Sequence, residues 1–298
     1  MRSRPRTRAK AKAGEALTAW ALLSPSLVGV ALFMLVPVAI VVWLSFYRWN
    51  LISPPRFVGL ENWVSILGNG RFANSLLVTG AFVLIVIPAQ TACGLFFANL
   101  LHRRLPGSGF FRTVYVLPWV CAPIAVGVMW KWVFAPSHGA LNALIGHRIE
   151  WLSDQALALP SVALVSIWSQ VGYVTLFFLS GLGSIPETIT EAAELDGAGK
   201  LRIFWTITVP LLRPTLFFVL LTTAISAAQT FDTVYALTGG GPLYATDVVG
   251  ARIYYEAFQN HEFGSAAAMA LVVFVLLAAM ALLQKLYFDK RITYDLSA

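Results

Sequence analysis

Six long apolar runs constrain this chain more than any other feature: Leu22 to Phe46, Ser75 to Leu101, Thr113 to Phe134, Pro160 to Leu182, Thr215 to Leu237 and Ser265 to Phe288. Each can cross a hydrocarbon layer of roughly 30 Å, which takes about 20 helical residues. Composition agrees, because only 12% of the 298 residues are charged and 58% are hydrophobic, whereas a soluble domain carries about a quarter charged residues. The expected fold is an all-α membrane protein with six transmembrane helices. A basic N-terminal segment, residues 1–21, should precede the six-helix domain, residues 22–288, and a short tail, residues 289–298, should follow it.

The flanks of the runs set an orientation. Arg2, Arg4, Arg6, Arg8, Lys10 and Lys12 precede the first run, and basic segments stay in the cytoplasm, so both termini are expected inside. Further cations fall where an inside turn or tail is expected: Arg103, Arg104 and Arg112, then Lys200, Arg202 and Arg213, then Lys285, Lys290 and Arg291. The segments expected outside hold Arg48, Arg56, Arg71, Lys131, Arg148 and Arg252. Trp20, Trp43, Trp49, Trp130, Trp132 and Trp205 lie near run ends, where an indole suits the headgroup region.

Several function classes drop out. The first run exceeds the 7 to 15 residues of a typical signal-peptide core and lacks a small-x-small exit, so it reads as a retained span. The net charge of +7 comes from the N-terminal cluster and suits anionic lipid headgroups rather than nucleic acid. Cys93 and Cys121 lie inside runs as small apolar fillers. His102, His138, His147 and His261 are scattered over turns without metal-site spacing, and no catalytic group or metal site is expected. Neither Gly239-Gly240-Gly241-Pro242 nor Gly199-Lys200 meets the pattern of a phosphate-cradling loop, so nucleotide chemistry belongs to another chain. An ion-coupled carrier would show internal repeats and acids at mid-membrane, and the runs show neither; Asp232 is the one acid near an outer end.

One segment is charged where its surroundings are not. Ile189 to Pro214, ITEAAELDGAGKLRIFWTITVPLLRP, carries Glu191, Glu194, Asp196, Lys200, Arg202 and Arg213 between the fourth and fifth runs. Counting crossings places it in the cytoplasm. Thr188 and Glu191 have capping-box spacing and should open a short helix. Gly197 should end it in a left-handed turn, with Lys200 to Ile207 forming a second short helix before Pro210. Ile189, Ala192 and Ala193 share a face on which the alanines allow close approach, while Glu191 and Glu194 offer charge. Such a segment suits docking.

The order Glu191-Ala192-Ala193, three residues, Gly197, nine residues, Ile207, one residue, Val209, Pro210 resembles the EAA loop of ABC-importer permeases, with Val209 replacing the usual Leu. Phe57-Val58-Gly59-Leu60-Glu61-Asn62-Trp63, Gly109-Phe110-Phe111-Arg112, Leu117-Pro118-Trp119 and Leu237-Thr238-Gly239-Gly240-Gly241-Pro242 resemble the carbohydrate-uptake branch, the glycerol-phosphate and maltose permease type. The resemblance implies one subunit of a bacterial inner-membrane machine. It implies a second homologous permease as heterodimer partner, two ATPase chains that hold ATP and Mg, and an extracytoplasmic solute-binding protein. The ATPase-coupling residues would be Glu191, Ala192, Ala193, Glu194, Asp196, Gly197, Ile207 and Pro210, with Glu191 facing a basic ATPase residue.

Two further sites follow. On the fourth run Ser166, Ser169, Gln170 and Tyr173 recur at helical spacing, and on the fifth Thr222, Ser226, Gln229 and Thr233 do the same. Polar stripes of this kind face a bundle interior or a watery cavity, and they form the candidate solute path, with Tyr173 as aromatic face. Neither run contains Lys or Arg, so a neutral sugar is favoured over a glycerol-phosphate or glycerophosphodiester. Thr238, Gly239, Gly240, Gly241 and Pro242 follow the fifth run on the outside, where bare glycine backbone can meet the binding protein.

Overall fold

The computed structural model describes residues 6–102 and 108–289. Arg2, Arg4, Arg103, Arg104, Lys290 and Arg291 of the orientation argument, and residues 290–298 of the expected tail, lie outside the described residues. Four helices are long and apolar enough to cross a membrane: Thr18–Leu44, Gly70–His102, Ala158–Gly183 and Phe263–Asp289. Two more crossings are bent. Arg112–Val120 meets Pro123–Val133 at 102°, and Lys200–Leu211 meets Arg213–Ala228 at 70°. Taking each bent pair as one span, the chain is an all-α membrane protein of six spans.

The bend in the third run and a separate interruption within the fifth correct the reading of both as straight helices. In the third span, Pro118 sits inside the first half and Pro123 opens the second. Ala122, held extended at φ −59° and ψ 126° by the proline after it, forms the break. In the fifth, helix stops at Ala228 rather than continuing to Leu237, and resumes at Asp232–Leu237 after Phe231 at φ −139°, ψ −58°. The interrupted stretch sits on Gly250, whose bare Cα leaves 2.7 Å between a notional Cβ and the Thr230 carbonyl. Only glycine fits there.

Prolines also explain two widened turns. Ala31–Leu35 and Phe204–Thr208 are π-helical and run into Pro37 and Pro210 respectively. A helix proline lacks its N–H and its ring crowds the carbonyl four residues back, and a wider turn relieves both.

Close helix contact follows from small residues, as expected where lipid removes most of the hydrophobic drive between helices. The second and fourth spans meet where Gly94 lies on Val174, and the third meets the fourth where Gly172 lies on the Tyr115 carbonyl. Phe82, Val86, Val162, Val165, Val234 and Val248 fill one core; Ala98, Val174, Phe178, Leu182 and Leu212 fill another. Alternating crossings bring matching ends together. His102, Arg112, Ser180 and Gly183 line one hollow on one side, while Arg71 at the start of the second span meets Asp247, beyond the fifth, on the other. A two-residue antiparallel ladder, Tyr47 with Phe57 and Arg48 with Arg56, was not foreseen in an all-α chain. Buried Asn62 pins it by donating to the Ser45 and Tyr47 carbonyls at 2.9 and 3.0 Å.

Candidate functional site

A cavity of ≈ 270 Å³ opens where the two broken spans face each other. Six of the eight expected path residues line it: Ser166, Ser169 and Gln170 from the fourth span, and Ser226, Gln229 and Thr233 from the fifth. Thr222 does not reach it; its hydroxyl donates to the Phe218 and Val219 carbonyls at 2.9 and 3.2 Å, one turn away. Tyr173 is also absent from the wall. Its ring lies against Trp119, centroids 4.9 Å apart and planes at 27°, so Trp119 presents the aromatic surface that the sequence assigned to Tyr173.

Residues from other elements complete the wall. Gln90, buried on the second span, lines the cavity and donates to the Ser166 carbonyl at 3.2 Å. Trp119, Thr230 and Asp232 line it too. Asp232 occupies the first turn of its helix, where the free N–H groups favour a carboxylate. Gln90, one of two amides with Asn99 in the apolar second run, was a readable signal. In the sequence Trp119 stands out only within Leu117-Pro118-Trp119 and not as a wall residue, because its place beside the fourth and fifth spans depends on how the third packs against them.

The charged segment after the fourth span has the expected helix, turn, helix form with two corrections. Its first helix, Glu187–Leu195, is opened by Pro186 at φ −60° and ψ 129°, and no side chain caps it. Thr188 lies inside the first turn, so the capping box does not form; proline fixes the entry angle before Thr188 can serve. The second helix does not stop before Pro210 but passes through the π turn to Leu211. Gly197 stands at φ +82°. The Ala198 N–H donates to the Ala193 carbonyl and the Gly197 N–H to the Glu194 carbonyl, both at 3.0 Å, which is the Schellman closure of a helix end. Glu191, Ala192, Glu194, Asp196 and Gly197 are exposed, Ala193 is buried, and Ile207 and Pro210 are half-buried. Three apolar side chains accompany them on the surface: Leu195 at 90%, Leu201 at 74% and Trp205 at 61% exposure.

On the opposite side, Thr238 to Pro242 is a knotted turn rather than bare backbone. Gly239 and Gly240 take φ of +60° and +93°, and Gly241–Pro242 is cis. The Thr246 hydroxyl lies 2.7 Å from that of Thr238 and 2.6 Å from the Gly241 carbonyl, and Tyr255 donates to the Gly239 carbonyl at 3.0 Å. Gly239 is exposed, but Gly240 is buried against Asp247. Burial pushes the Asp247 carboxyl above the usual aspartate range, opposed by the hydrogen bond and charge of Arg71 and by the charge of Arg252. The turn ends in Leu243 and Tyr244, both at positive φ, with the Arg71 guanidinium 4.1 Å over the Tyr244 ring.

Residues 90–294 match the family described as the binding-protein-dependent transport system inner membrane component. The chain is 34% identical over 278 residues to the sn-glycerol-3-phosphate transport system permease protein UgpA of Agrobacterium fabrum, covering 92% of this chain and 95% of that protein. It is 31% identical over 278 residues to the trehalose/maltose transport system permease protein MalF of Thermococcus litoralis, covering 92% and 94%. In fold it is similar to a chain of a bacterial ABC transporter involved in the import of the acidic polysaccharide alginate, with a TM-score of 0.82 at 19% identity over 96% of this chain and 100% of that one.

Proposed function

The chain belongs to the binding-protein-dependent transport system inner membrane component family, and from that premise we propose that it forms one half of the path by which an ATP-driven importer carries a neutral sugar. The observation that carries this reading is the cavity at the two helix breaks. Its wall offers amides and hydroxyls from Gln90, Gln170, Gln229, Ser169, Ser226 and Thr230, and it contains no Lys, Arg or His. Hydroxyl-rich solutes need such partners, whereas a phosphate left without a cation is costly to desolvate. The UgpA relatives favour a glycerol-phosphate instead; that solute would need its counter-charge from the second permease of the heterodimer.

As a permease subunit the chain leaves ATP and Mg to separate ATPase chains. The segment Glu187–Leu211 is the surface on which we place them. Exposed Leu195, Leu201 and Trp205 supply apolar area beside the charges of Glu191 and Glu194, the mix of anchors and polar rim found in protein interfaces. A binding protein would dock at the other end, beside Gly239 and the Leu243–Tyr244 tip. Charge supports cytoplasmic termini in the inner membrane. Lys and Arg cluster before the first span, from Arg2 to Lys12, and again between the fourth and fifth, at Lys200, Arg202 and Arg213.

Replacing Gln170 and Gln229 together with leucine tests the path. Expression and ATPase assembly should persist while uptake falls unequally for different sugars, because a cavity wall has lost specific hydrogen bonds. Uptake that stays normal, or that falls equally for every solute in step with protein abundance, removes the cavity from the path.

A further inference from the structure

We propose that Trp119 is the platform on which the cavity receives its solute, and that its open indole face selects sugars in pyranose form over acyclic polyols and glycerol phosphates. The proposal rests on the reading of the cavity as the solute path. Trp119 is the penultimate residue of the helix Ser108–Val120, directly before the 102° break. There it stands on the cavity wall, 45% exposed, among Gln170, Ser226, Gln229, Thr230 and Asp232.

One indole face is closed and its tilt is fixed from behind. Tyr173 stacks on it at 4.9 Å and 27°, Phe177 meets Tyr173 edge-on at 4.7 Å and 68°, and Phe218 backs Phe177 at 4.8 Å. Among the described residues no other ring lies on Trp119, and with 45% of the residue exposed on the cavity wall it retains indole surface for a ligand. Aromatic faces carry negative potential and attract the weakly positive C–H edges of an apolar surface. A pyranose ring offers a flat patch of such C–H groups with hydroxyls around its rim. The wall matches both: an indole face beside two amides that donate and accept, and the Asp232 carboxylate that accepts. An acyclic polyol presents a comparable patch only after freezing several rotors. A glycerol phosphate would bring its dianion beside Asp232 with no cation on the wall.

The alternative is an interfacial anchor or a packing residue. Anchoring uses the amphipathic ring with its N–H, so Trp119→Phe should impair an anchor yet spare a stacking platform. The full transporter, assembled with its partner permease, ATPase and binding protein in proteoliposomes, is assayed with maltose, trehalose, methyl glucoside, methyl galactoside, sorbitol and glycerol 3-phosphate. The wild type should respond to at least one pyranoside. Trp119→Phe should stay within about twofold of it, while Trp119→Leu and Trp119→Met should lower the maximal uptake of that pyranoside roughly three- to tenfold, the loss of one stacking contact. Half-saturation, set by the binding protein, should not move. ATP hydrolysed per sugar carried should rise, because the binding protein still triggers turnover while the released sugar goes unheld; damage to packing would lower hydrolysis and uptake together.

A wild type that responds to no pyranoside overturns the proposal. So does uptake that is equal in the phenylalanine, leucine and methionine variants. Should Trp119→Leu fail to assemble, the comparison of phenylalanine with methionine decides alone. The double glutamine variant separates the two levels: if it leaves uptake unchanged the path reading falls, and if it lowers uptake while the Trp119 series is flat, only the platform falls.

Discussion

Gly197 is the position where substitution most cleanly separates conformation from contact. Its φ of +82° lies in the left-handed region, and two hydrogen bonds, from Ala198 to Ala193 and from Gly197 to Glu194, depend on it. A Cβ built there meets nothing within 4 Å, so within this chain the cost of a side chain is conformational alone. That cost is about 1–2 kcal/mol for an ordinary L-residue and larger for a β-branched one, while asparagine tolerates the conformation best among non-glycine residues. About 1–2 kcal/mol changes the population of the closed turn by roughly 5- to 30-fold. Coupling should therefore decline in the order Gly, Asn, Ala, Val, measured as solute-stimulated ATP hydrolysis in proteoliposomes and as ATPase co-purification. Steric contact with the ATPase would instead rank the variants by size, with Ala above Asn. Observing Ala above Asn, or Val level with Asn, refutes the left-handed turn as the reason for glycine here.

Two other expectations follow from charge. Glu191 is exposed on the helix Glu187–Leu195, and on the proposed ATPase docking surface a desolvated acid needs a partner, so Glu191→Lys should abolish solute-stimulated ATP hydrolysis; a variant with normal stimulation and uptake removes the pairing role. At the outer turn, burial holds the Asp247 carboxyl above its usual range, so the folded turn binds a proton more readily than the unfolded chain. Its stabilising contribution is complete below about pH 4 and is lost as pH rises through the raised folded value. Hydrogen exchange across residues 238–247 should quicken over that rise, beyond the intrinsic increase of amide exchange with pH, and Asp247→Asn should flatten the excess; equal excesses in the two proteins would exclude Asp247 as its source.

What the sequence disclosed was whatever one helix or one local turn determines. Ser166, Ser169 and Gln170 share a face because helical periodicity says so, and the structure gathers them on one wall. Gly197 was readable because a left-handed helix end has a glycine signature. Thr188 misled because a capping box and a proline entry compete for the same turn, and Pro186 prevailed. The turn at Thr238 to Pro242 looked like accessible backbone because its constraints are distant in sequence: Tyr255 bonds Gly239, Asp247 covers Gly240, and Arg71 reaches Asp247 from the second span.

The breaks themselves argue for a path. A membrane span with interrupted backbone exposes N–H and C=O groups that lipid cannot satisfy, so such stretches persist only where protein encloses them or a cavity hydrates them. Here two interruptions, at Cys121–Ala122 and at Gln229–Phe231, come from different spans and yet contribute Cys121, Gln229, Thr230 and Phe231 to the same cavity wall. Spans that served only to anchor the chain would gain nothing from either break. Both are held in place by particular residues, Pro123 at one and Gly250 at the other. At the second break the chain itself satisfies part of the interrupted backbone, Gln229 and Thr230 donating to the Ile225 and Ala227 carbonyls and Tyr235 to that of Phe231, so protein enclosure and the adjoining cavity together accommodate the interruption.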